Sequence, residues 1–115
     1  MALRVLVVED DPTYSYSAAK TLRQAGYEVA VANDYLGALK ALDESSIDLL
    51  LTDIVMPKGM NGFALARMAR LRTLGLKVVY MTAYDVPTEE AFGKILRKPI
   101  SDDLLVSEIS QAIAA

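Results

Sequence analysis

Five short apolar runs recur along the chain, and most are followed by a stretch with apolar residues at helical spacing. Leu3-Arg4-Val5-Leu6-Val7-Val8 is β-branched and predicts a first strand. Asp11 then suits an N-cap and Pro12 a first helical turn. The helix they open runs to about Ala25, with Ala18, Leu22 and Ala25 inward and Gly26 as the stop. Tyr27-Glu28-Val29-Ala30-Val31 alternates as a second strand. Asn33 or Asp34 caps a second helix whose core face is Ala38, Leu39 and Leu42. Ile47-Asp48-Leu49-Leu50-Leu51-Thr52-Asp53 is too short for an ordinary helix, fits a strand buried on both faces, and ends abruptly in a carboxylate.

A Gly/Pro loop, Met56 to Gly62, leads to a third helix from about Gly62 to Arg72, with Phe63, Leu65, Ala66 and Ala69 inward. Lys77 to Met81 is a fourth strand running into Thr82-Ala83, and Lys94 to Arg97 is a fifth, ending in Lys98-Pro99. Asp102 and Asp103 open a last helix with Leu105, Ile109 and Ile113 inward. Alternating strands and helices predict an α/β fold: a parallel sheet with helices on both faces and right-handed crossovers. One unit is out of proportion. Only Ala83 to Gly93 separate the fourth and fifth strands, with Pro87 inside and Gly93 at the close. A crossover with its helix needs about 10–12 residues at the least, so this helix is expected to be stunted or replaced by a loop.

Composition narrows the function. The 115 residues suit one domain, 1–115, and 53% hydrophobic with 23% charged residues is an ordinary globular balance. There is no cysteine, hence no disulfide and no thiolate metal site, and no histidine, so any histidine chemistry must come from a partner. No apolar run approaches a membrane span and no basic, leader-like segment opens the chain, so a cytoplasmic location without membrane contact is expected. Net charge is −3, and the first 57 residues hold 9 of the 15 acidic groups but 4 of the 12 basic ones. Such an acidic half does not attract nucleic acid. Met1-Ala2 at the start and a finished last helix fit a whole single-domain protein.

In a parallel sheet the C-terminal strand ends share one edge, where ligands bind. Glu9 and Asp10, Asp53, Thr82 and Lys98 stand at four of those ends. Three packed carboxylates repel and call for a neutralising group. A hard divalent cation such as Mg²⁺ fits and leaves room for a phosphoryl oxygen. The Lys98 ammonium and the Thr82 hydroxyl can meet phosphoryl oxygens, and ionised Asp53 is a candidate nucleophile that would form an acyl phosphate. Each residue alone has a plainer reading as a cap, a strand-end hydroxyl or a solvated charge; their joint placement favours the functional one. Asp11 is explained by its cap. Tyr14 and Tyr16 read as surface or helix-packing residues, and Arg67, Arg70 and Arg72 as the solvated face of the third helix.

Over its whole length the chain resembles the receiver domains of two-component response regulators. The resemblance rests on Val5-Leu6-Val7-Val8-Glu9-Asp10-Asp11, on Thr52-Asp53-Ile54-Val55-Met56-Pro57 with Asn61-Gly62, on Met81-Thr82-Ala83, and on Lys98-Pro99. It implies a flavodoxin-like (βα)5 three-layer sandwich with strand order 2-1-3-4-5. It implies that Asp53 accepts a phosphoryl group from the phosphohistidine of a histidine kinase or phosphotransfer protein. Asp10 would bind Mg²⁺ directly, Glu9 through water, Asp53 and the Val55 backbone carbonyl as further ligands. Thr82 and Lys98 would contact the phosphoryl group, and the Lys98-Pro99 peptide would be cis. Receivers usually carry an aromatic where this chain has Ile95. With the short crossover, this implies output through an altered face to an unknown downstream protein, with a homodimer through a non-standard face as one form of it. The chain would then be a signalling module rather than an enzyme. The alternatives are a receiver-like scaffold that is never phosphorylated, and an aspartyl-nucleophile phosphatase. Such a phosphatase, however, carries a second Asp where Val55 stands.

Overall fold

The structure is a computed structural model and describes residues 2–56 and 61–115. Pro57, Lys58, Gly59 and Met60, within the loop read from the sequence, lie outside the described residues. The elements are β1 (Arg4–Val8), α1 (Pro12–Gln24), β2 (Glu28–Ala32), α2 (Tyr35–Glu44), β3 (Leu49–Asp53), α3 (Gly62–Arg72), β4 (Lys77–Thr82), β5 (Ile95–Arg97) and α4 (Asp102–Ala114). The five strands form one parallel sheet in the order β2-β1-β3-β4-β5, the flavodoxin-like topology.

Side chains alternate across the central strands and build two cores. Leu6, Val8, Leu50, Val78 and Tyr80 face α2 and α3. Val5, Val7, Leu49, Leu51, Val79 and Met81 face α1 and α4. β3 is buried at all five positions, as its apolar run requires. It begins at Leu49, later than the sequence suggested, because Asp48 is exposed and its carboxylate accepts the Arg4 backbone N–H at 2.8 Å. β2 is an edge strand and correspondingly half exposed.

Side-chain caps set the helix starts. Asp11 accepts from the backbone N–H groups of Thr13 and Tyr14, Asp34 from Gly37, Asn61 from Ala64 and Ser101 from Leu104. Asp34 is therefore the cap of α2, and Asn33 serves elsewhere. Ala25 ends α1 as an exposed C-cap rather than an inward residue, and Gly26 follows at φ 101°.

Residues 83–94, all of them described, contain no helix; a loop replaces the crossover helix, as the short spacing predicts. Val86 and Ala91 from this loop, with Ile95 of β5, pack against the α2–α3 core in its stead. Two backbone N–H groups of the loop are held by β4 side chains. The Thr82 hydroxyl accepts from Tyr84 at 3.1 Å, and the buried Tyr80 hydroxyl accepts from Phe92 at 3.2 Å. The arginines of α3 are more than a solvated face. Arg67 pairs with Glu90, Arg72 pairs with Asp43 of α2 at 2.9 Å, and the Arg70 guanidinium lies 4.4 Å from the centre of the Phe92 ring.

Candidate functional site

Glu9, Asp53 and Lys98 are the next alternation steps after Val7, Leu51 and Leu96, on the α1–α4 side of the sheet. Alternation thus turns three charged side chains from three strands toward one another. Lys98 Nζ contacts Glu9 Oε1 directly and donates to Asp53 Oδ2 at 3.1 Å. The other Asp53 oxygen, Oδ1, accepts from the Val55 backbone N–H at 3.2 Å. Both Asp53 oxygens are therefore oriented although the side chain sits at the sheet edge.

The backbone around Asp53 is fixed as well. The Ile54 N–H donates to the Met81 carbonyl at 3.0 Å, and the Gly62 N–H donates to the Ile54 carbonyl at 2.7 Å. A Cβ at Gly62 would overlap the Asp53 carbonyl oxygen, so only glycine lets the start of α3 approach this closely. Val55 is half exposed beside Asp53 and bridges to Asn61. The Lys98 N–H donates to the Thr82 carbonyl at 2.8 Å, tying two site residues together through the main chain. The Lys98–Pro99 peptide is cis.

Glu9 is almost fully buried, and burial is the main force that pushes its carboxyl up to about 7; nearby Asp53 adds to this and the Lys98 ammonium opposes it. Burial pulls Lys98 down, but the Glu9 and Asp53 carboxylates outweigh it and the net shift is upward. Carboxylate oxygens of Glu9, Asp10 and Asp53 lie within 4.8 Å of one another. Glu9 Oε2 is buried with no hydrogen-bond partner among the described residues. An all-oxygen donor set containing an orphaned buried carboxylate oxygen fits a hard divalent cation such as Mg²⁺.

The structure thus brings Glu9, Asp10, Asp53 and Lys98 together, with Thr82 buried at the end of the adjoining strand and Val55 two residues past Asp53. Two supporting residues are not apparent from the sequence. Asn33 donates to the Glu9 carbonyl at 2.8 Å and to Ser15 Oγ at 3.4 Å, bracing the end of β1. The Tyr14 ring lies with its centre 4.3 Å from Lys98 Nζ. Burial pushes the Tyr14 phenol upward, with Lys98 opposing.

The family model for the response regulator receiver domain matches residues 5–110. The response regulator receiver protein CpdR of Brucella abortus is 36% identical over 121 residues, covering 97% of this chain and 98% of CpdR. A CheY-like response regulator receiver domain protein of Methanospirillum hungatei superposes with a TM-score of 0.92 at 25% identity, covering 99% of this chain and 95% of the other. The response regulator TrrA of Thermotoga maritima, solved in complex with Mg²⁺-BeF, gives 0.83 at 29% identity, covering 96% of this chain and 98% of TrrA.

Proposed function

Because this chain belongs to the response regulator receiver domain family, we propose that it is a phosphoacceptor of a two-component or phosphorelay system, taking its phosphoryl group on Asp53. The observation that carries this reading is the convergence of Asp53 with Glu9, Asp10 and Lys98 at one sheet edge. Asp10 and Asp53, the Val55 carbonyl, and Glu9 through water would hold Mg²⁺. When bound, the metal supplies charge neutralisation for the carboxylates and for the phosphoryl oxygens.

The remaining work falls to the chain's own residues. A carboxylate oxygen of Asp53 forms the new P–O bond as the P–N bond to a partner's phosphohistidine breaks. The imidazole keeps the electron pair. Lacking histidine, this chain is suited to receive and not to originate that transfer. Lys98 balances charge on the transferring group as a point cation. The Thr82 oxygen already accepts the Tyr84 N–H, which leaves its own proton for a phosphoryl oxygen. Output would pass to a downstream protein by direct binding.

Incubation with acetyl phosphate and Mg²⁺, followed by intact mass, tests the reading. One labile phosphate should appear on the wild type and none on Asp53→Asn. An adduct that survives Asp53→Asn, or steady turnover of small phosphomonoesters, would sink it.

A further inference from the structure

Among the described residues the Lys98 ammonium touches three groups: the Glu9 carboxylate, the Asp53 carboxylate and the face of Tyr14. The first two are in the acidic cluster that a divalent cation would occupy. A cation there satisfies those oxygens and repels the ammonium, so both carboxylate contacts weaken when the site is loaded. A lysine freed in this way has four flexible carbons to swing on. The ring is different. It carries no charge for the cation to claim, and its negative face attracts an ammonium whatever the carboxylates do.

The ring is also held firmly. Tyr14 lies in the first turn of α1, where Asp11 Oδ1 accepts from the backbone N–H of Thr13 at 2.9 Å and of Tyr14 at 3.4 Å. Ser15 Oγ donates to the Pro12 carbonyl at 3.1 Å in the same turn. The side chain is half buried against the α1–α4 core.

We propose that Tyr14 is a positioning residue for phosphoryl transfer, its ring face holding the Lys98 ammonium at the site once the carboxylates are taken by the metal. This rests on the reading of Asp53 as acceptor. Asp11 then acts at one remove, since its cap sets the turn that carries the ring.

Two variants separate the ring face from bulk: Tyr14→Phe keeps the face, and Tyr14→Leu keeps only apolar volume. With acetyl phosphate and Mg²⁺, Tyr14→Phe should be phosphorylated at the wild-type rate and Tyr14→Leu about 3- to 30-fold more slowly, the span a partly desolvated cation–π contact supports. In a Lys98→Ala background, Tyr14→Leu should cause no further loss. The ring-current shift of the Lys98 Cε protons, read by NMR, should persist at saturating Mg²⁺ in the wild type and Tyr14→Phe and be absent from Tyr14→Leu. The inference is overturned by a wild-type rate in Tyr14→Leu, by an equal loss in Tyr14→Phe, or by the same loss in the Lys98→Ala background. If the wild type itself takes no phosphate, the reading of Asp53 has failed. The NMR shift then decides alone, and its loss from the wild type on adding Mg²⁺ overturns the role of Tyr14.

Discussion

The edge around Asp53 and the loop between β4 and β5 lie side by side, yet they are held in opposite ways. At the edge, Asp53 is fixed by a lysine, by two main-chain N–H groups following it, and by a helix start that only glycine permits. Across residues 83–94 there is no helix, and β4 hydroxyls hold the backbone at Tyr84 and Phe92. The Tyr80 N–H donates to the Lys94 carbonyl and Gly93 packs on the Val78 carbonyl, which leaves residues 85–91 with no backbone hydrogen bond to β4 among the described residues. Exposed arginine contacts from α3 and β5 add to these, namely Arg67–Glu90, Arg70–Phe92 and Arg97–Asp85. Exposed pairs of this kind contribute little each. The candidate site is thus built on the more firmly held part of the molecule, and the middle of the loop that replaces a helix is the easier to move. Thr82 belongs to both. Its hydroxyl accepts the Tyr84 N–H at the start of the loop and keeps its own proton to offer a phosphoryl group on Asp53.

Removing Lys98 should break the rigid side most. Lys98→Ala leaves Glu9 a buried carboxylate without its cation, which costs on the order of 3 kcal/mol by urea denaturation of the metal-free protein at pH 8. Phosphorylation by acetyl phosphate should slow more than in Tyr14→Leu while staying measurable, and Mg²⁺ should restore part of the stability. An unchanged denaturation midpoint would mean that Glu9 is not held by this lysine. Gly62→Ala comes next. The new Cβ must displace the Asp53 carbonyl or the start of α3, at about 1–3 kcal/mol. Because the backbone that moves is Asp53's own, phosphorylation should slow by more than the stability loss explains. Hydrogen exchange in the 83–94 loop should stay as in the wild type.

The same contrast decides what the sequence reveals. Glu9, Asp10, Asp53, Thr82 and Lys98 are legible because each stands at the end of an apolar run, and a parallel sheet brings such ends to one edge. The missing helix is legible because chain length bounds it. What escapes are contacts that depend on how separate elements approach. Tyr14 reads as a packing residue because nothing nearby in sequence shows that α1 starts over Lys98. Arg67 and Arg70 read as solvated because their partners, Glu90 and Phe92, lie in a loop without periodicity. Asn33 and Asp34 are equally good caps by chemistry, and only the position of the end of β1 assigns Asn33 to the Glu9 carbonyl. For Tyr80 a signal did exist. A tyrosine in a fully buried strand needs a partner for its hydroxyl, and the nearest chain able to supply one is the loop that follows.

Tyr80 therefore gives the smallest effect and the one that isolates the loop. Its side chain is fully buried, its ring lies 5.2 Å from that of Phe63, and its hydroxyl accepts the Phe92 N–H. Tyr80→Phe keeps the ring contact and leaves that N–H without its acceptor, at a cost of about 1 kcal/mol. Exchange of the Phe92 amide should speed up in proportion, while phosphorylation of Asp53 stays at the wild-type rate. Alkaline pH gives a second reading of the same bond. Burial pushes the Tyr80 phenol above its usual 10, with the Phe92 N–H partly opposing. A raised folded-state value means the stabilising proton is fully present below pH 10 and is lost as pH rises past it, because the unfolded chain ionises first. The wild type should accordingly lose stability more steeply above pH 10 than Tyr80→Phe, and the two denaturation curves should converge. Parallel curves would place the Tyr80 hydroxyl in water and remove the loop's second anchor. The contrast between the two regions would then be sharper still, with Thr82 the one β4 side chain among the described residues that holds the loop's backbone, at the strand end beside Asp53.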